Sequence, residues 1–133
     1  MVYEPDPRRL YQMLVSSLQL LSLQSDQQQA SLAGFVDVPD ELALTFDETF
    51  VLKDRMRSAG VIDGPVVVVL EELARQLATM SGVKAMWTIE ALQSAPEWKT
   101  VRIKAREVLK LLGERVKQPD LSWSKYVRGR HDD

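Results

Sequence analysis

Apolar residues recur at spacings of three and four along this chain, and proline or glycine punctuates the ends of the runs. Leu10, Leu14, Leu18 and Leu21 form one stripe, Val66, Leu70, Leu73, Leu77 and Met80 a second, and Trp98, Val101, Ala105, Val108, Leu109 and Leu112 a third. Residues three and four apart share one face of a helix, whereas a strand changes face at every residue. The pattern therefore predicts an all-α chain, a single compact bundle of five to six helices spanning residues 1–133 as one domain.

The punctuation sets the expected boundaries. Asp6 caps a first helix over about 7–22, with Pro7 in its first turn, where a missing N–H costs nothing. Arg8, Gln12, Ser16 and Gln19 fall opposite its leucine stripe. Ser25 and Gln28 have capping-box spacing, which predicts a short helix over 25–33 with Gly34 as a left-handed stop. A third helix of about 20 residues is expected from Val38-Pro39-Asp40 to Gly60. Gly64-Pro65 opens a fourth, which Gly82 ends; the run VVVVL inside it could form a buried strand, but EELARQLATM keeps the 3.6-residue period unbroken. Thr88 caps a short helical turn through Ser94. The last helix runs from Ser94-Ala95-Pro96 to Gly113, and beyond it Trp123 and Tyr126 are expected to dock on the body while the final residues fray.

Chemistry is limited by what is missing. The 133 residues include no cysteine and one histidine, His131, which lies in the charged segment RGRHDD. Disulfides are impossible, and thiol, zinc and iron–sulfur chemistry lack their usual ligands. No phosphate-binding, dinucleotide-binding or nucleophile-elbow motif occurs. Adjacent acids such as Asp47-Glu48 and Glu71-Glu72 point about 100° apart on a helix and do not converge. A binding protein without enzymatic activity, metal or cofactor is the expectation. No stretch approaches the roughly 20 apolar residues of a membrane span and no leader pattern opens the chain, so a cytoplasmic location is expected.

Charge is distributed unevenly. Residues 1–98 carry 14 acids and 7 bases, and residues 99–133 carry 10 bases and 5 acids. Between 26 and 48 there are six acids and no base. On the third helix, Leu42, Phe46 and Phe50 make the core stripe, while Leu44 and Val51 form a second, smaller one. Asp40, Asp47 and Asp54 border that second stripe on one side, and Glu41 and Glu48 on the other. With Asp37 at the helix start, these residues form a candidate partner-binding surface, because apolar positions framed by charge have the composition of an interface core and rim. The same pattern fits a central helix whose Leu44 and Val51 pack beneath the N-terminal helices, and pairing of two copies through Leu44 and Val51 also stays open.

Lys99, Arg102, Arg106 and Lys110 recur along one side of the last helix. Such a row can hold phosphates, giving an alternative reading as a nucleic-acid-associated or regulatory protein. A pI near 5.5 and the core-facing position of Trp98 weigh against nucleic acid. Trp87, Trp98 and Trp123 are expected to pin helices together.

Two segments, FVDVPDELALTFDE at 35–48 and WTIEALQSAPEWKTVRIKAREVLKLLG at 87–113, resemble small bacterial immunity proteins found beside contact-dependent inhibition and other polymorphic toxins. The resemblance covers about 40 residues. It implies a cytoplasmic inhibitor that binds a cognate toxin domain and blocks its active site or the approach of substrate. It brings no catalytic residues, and it singles out the acidic segment at 37–48 as the contact region. A nuclease toxin would present a basic groove that such a segment complements. The basic C-terminal third departs from what a nucleic-acid mimic needs.

Overall fold

A computed structural model describes residues 6–32, 34 and 36–121. Trp123, Tyr126, His131 and the bases after Leu121 lie outside the described residues. Among the described residues there are seven α-helices and no strand: α1 (Pro7–Ser22), α2 (Ser25–Ser31), α3 (Val38–Phe50), α4 (Lys53–Ser58), α5 (Gly64–Met80), α6 (Ile89–Ser94) and α7 (Pro96–Leu112). A 3-10 turn, Lys84–Trp87, separates α5 from α6. The all-α class is as the periodicity implies, and VVVVL is helical. None of the described helices is long and apolar enough to cross a membrane.

The helix at the centre of the bundle is α1. Its leucines are fully buried, and so are Ser17, Ser22 and Gln19, which corrects the expectation of a solvated Gln19 face. The reason is enclosure on several sides: α3 and α7 pack on α1, and Gln19 Nε2 donates to the carbonyl of Arg115 at 3.1 Å in the segment after α7. Ser17 Oγ lies 3.2 Å from Thr49 Oγ1, so the α1–α3 contact includes a pair of small hydroxyl residues. α5 packs chiefly on α7. The buried apolar side chains from α1 through α7 join one core, each large member contributing about 1.5–3 kcal/mol.

The expected third helix of about 20 residues is divided. α3 ends at Phe50, and Leu52 leaves helical geometry with φ −101° and ψ 9° before α4 begins. At 100° per residue, an unbroken helix would carry Lys53 and Arg57 onto the face that buries Leu42 and Phe46. The turn avoids that outcome: Met56 is fully buried, Arg57 is exposed, and the Lys53 ammonium rests 4.4 Å over the Phe50 ring. This division raises the helix count to seven.

Gln28 differs from its expected capping role. α2 has no side-chain cap, and Gln28 is buried, its Nε2 donating to the carbonyls of Leu20 and Leu21. Gly34 shows no left-handed backbone, unlike Gly60, Gly82 and Gly113. At Gly113, φ of 73° lets the N–H of Glu114 return to the carbonyl of Leu109 at 2.9 Å, closing α7 in the manner that favours glycine. That turn delivers Glu114 to Tyr11, whose hydroxyl donates to Oε2 at 2.7 Å.

Candidate functional site

A cleft of about 710 Å³ lies between α3 and the second half of α5. It exists because α3 packs mainly on α1 and α5 mainly on α7, leaving the pair separated along their outer sides. Phe46 and Phe50 from α3 line it, stacked with centroids 5.5 Å apart. The opposite wall is low, since Ala74, Ala78, Ser81 and Gly82 project little from α5 and the bend that ends it. Trp87 closes one end. Its indole N–H donates to the Met80 carbonyl at 2.8 Å and its ring meets Trp98 edge-on at 5.5 Å, so the aromatic wall is fixed from behind.

Of the acidic residues expected at an interface, Asp40 and Asp47 line this cleft and are exposed. Neither is paired with a cation among the described residues. Leu44 stands between them, 38% exposed. Asp40 and Asp47 are seven residues apart on one helix, hence separated by about 10 Å along its axis. They are too far apart to share a proton, but well placed to contact two cations on one ligand.

The remaining candidates lie elsewhere. Glu41 is only 3% exposed and belongs to the interior, correcting its place on an acidic rim. Asp37 caps α3, accepting from the N–H of Asp40 at 3.4 Å. Glu48 is half-buried on another side of α3. Val51 is 64% exposed, but at the turn after α3, and Asp54 lies on α4; neither lines the cleft. The expected seam from Leu44 to Val51 therefore does not run as one stripe. The half-cleft contributed by α5 and Trp87 was missed in the sequence. The alanines at 74 and 78, four apart beside the core stripe, were its available signal.

The basic row on α7 is interrupted. Arg102 is only 5% exposed, and its Nε donates to the Leu23 carbonyl at 3.2 Å while Nη2 donates to the carbonyl of Leu92 and lies 3.5 Å from Gln28 Oε1. Burial lowers its pKa below the ordinary arginine value, and the charge of Arg106 lowers it further. Arg106 is exposed, yet its Nε donates to the Ser22 carbonyl at 3.0 Å. Of these four, Lys99 and Lys110 are the exposed cations that the fold's hydrogen bonds do not engage. A four-cation track for phosphates is thus corrected to two lysines separated by residues that serve the fold.

No group of three or more acidic or imidazole side chains able to hold a metal occurs among the described residues. Comparison of the chain with family models, with curated proteins and with solved structures gives no match.

Proposed function

We propose that this protein is a cytoplasmic immunity protein that neutralises a cognate toxin domain by direct binding, without chemistry of its own, through the α3–α5 cleft. The observation that carries the reading is the juxtaposition of exposed Leu44 with Asp40 and Asp47 on the border of an apolar cleft. An apolar surface rimmed by charge marks an interaction site. The resemblance of 35–48 to immunity proteins falls on the same wall, and it supplies the class of partner.

The two carboxylates favour a partner with a basic surface. Complementary charge raises the rate of encounter and suppresses wrong partners more than it adds affinity. Affinity would then come from apolar side chains entering the cleft, where water is displaced from Leu44, Phe50 and Trp87. A nuclease domain, whose substrate groove must be basic, fits this description.

The test is co-expression with the toxin domain encoded by the neighbouring reading frame. Wild-type protein is expected to rescue growth and to co-purify with the toxin in fixed stoichiometry. Growth arrest despite abundant folded protein, with no complex recovered, contradicts the reading.

A further inference from the structure

The geometry points to an amphipathic helix of the partner, bearing two basic residues seven positions apart, as the occupant of the α3–α5 cleft. This rests on the functional reading above and specifies what the partner presents. The cleft has the dimensions of a helix seat. Its α3 wall extends from Asp40 to Phe50, and its α5 wall from Ala74 to Ser81, which at 1.5 Å per residue is about 10–15 Å, or two to three helical turns. Helix-in-groove recognition uses apolar anchors at i, i+4 and i+7 laid into such a channel.

The walls suit a helix in two further respects. Ala74 and Ala78 keep the α5 side low, so a third helix can settle beside α3 and α5 instead of riding on long side chains. Charge fixes its composition. Asp40 and Asp47 project from one wall, exposed and unpaired among the described residues, and their spacing repeats on any partner helix as positions i and i+7. Among the described residues the sole cation lining the cleft is Lys84, beyond the end of α5. Trp87 shares an adjacent depression with Val36 to Pro39, at the beginning of α3. A helix with bases on one flank and leucines along its centre matches both features, whereas an acidic helix meets Asp40 and Asp47 with like charge.

The probe is a pair of acetylated, amidated helical peptides with leucines at i, i+4 and i+7. One carries arginines at two flanking positions seven apart, and the other carries glutamates there. Each is titrated into the full-length ¹⁵N-labelled protein at low salt. The arginine peptide is expected to shift the amides of Ala43, Leu44, Ala78 and Gly82 and the Trp87 indole, and to bind at least about tenfold more tightly than the glutamate peptide. In the Asp40→Asn, Asp47→Asn double variant, that preference is expected to vanish while the fold is kept. Equal binding of the two peptides, or shifts confined to another face, overturns the inference. It is also overturned if Lys125→Glu and Arg128→Glu shift the same cleft resonances in free protein, since the chain's own basic end is then the occupant, or if those resonances depend on protein concentration, since a second copy is.

Two results separate this inference from the reading it extends. If Leu44→Asp abolishes toxin neutralisation but neither peptide binds, the cleft remains the contact surface and the helical occupant is overturned. If the peptides behave as expected but the neighbouring toxin is not neutralised, the helix seat stands and the immunity reading falls.

Discussion

The guanidinium of Arg102 on α7 donates through Nε to the carbonyl of Leu23, 79 residues earlier in the chain. That contact ends the central helix. α1 has no basic residue in its last turn, and its C-terminal carbonyls face the interior, where an orphaned acceptor costs about 1–3 kcal/mol. α7 and α2 supply the missing donors: Arg106 serves Ser22, Arg102 serves Leu23, and Gln28 serves Leu20 and Leu21. The positive charges also lie at the negative end of the α1 dipole.

Arg102→Met is therefore expected to destabilise the protein by about 3 kcal/mol, because two carbonyls lose their donor in a buried place. Lys99→Gln and Lys110→Gln, on the same helix but exposed, should each change stability by no more than about 0.5 kcal/mol. Urea denaturation of the three variants checks the contrast. Equal, small effects would mean that Arg102 is a surface cation after all.

The acids at 40, 41 and 47 should separate in the same way. Asp47→Lys is expected to leave stability within about 0.5 kcal/mol, and Asp40→Lys, in the first turn of α3, to cost about 0.3–1 kcal/mol through the helix dipole. Glu41→Lys forces a cation into a buried position and should cost about 3 kcal/mol or more. Thermal melts followed by circular dichroism at 222 nm give the ranking, and a Glu41→Lys melt equal to that of Asp47→Lys would contradict it.

Tyr11 provides a pH signature. Burial, then the hydrogen bond to Glu114 and the nearby charge of that carboxylate, push its pKa from 10.0 up to about 12. The neutral phenol is thus favoured by the fold, and its contribution is complete below pH 10 and lost as the pH rises from 10 toward 12. Tyr11→Phe is expected to flatten the stability profile in that window only. Urea midpoints measured between pH 9 and 12 check this, and identical slopes for wild type and variant would contradict it.

Much of the fold was legible because helix ends carry local chemistry. Asp6 caps α1, Gly64-Pro65 opens α5, Thr88 caps α6 and Gly113 stops α7, each within reach of residues a few positions away. The division after Phe50 was not legible. Val51 and Leu52 are compatible with a helix, and the chain turns there because Lys53 and Arg57 would otherwise enter a core whose other walls belong to distant segments. Glu41 and Arg102 show the same limit: both sit where a helical wheel puts solvent if the helix lies on the surface, and both are buried, Arg102 against the carbonyl of Leu23 far earlier in the chain. The cleft was half legible. Its α3 wall showed as acids around Leu44, but its second wall depends on α5 lying alongside, which no local spacing states.

Binding kinetics of Leu44→Asp with the proposed partner, a toxin domain expected from the neighbouring reading frame, test the central claim most directly. Phe46→Ala serves as the reference for core damage, at an expected loss of about 3–5 kcal/mol of folding stability. Leu44→Asp is expected to melt close to wild type and to dissociate from the toxin at least about thirtyfold faster, a loss of about 2 kcal/mol, while Asp40→Lys with Asp47→Lys mainly slows association and reduces its salt dependence. A folded Leu44→Asp protein that holds the toxin as long as wild type would contradict the claim that the cleft is the contact surface.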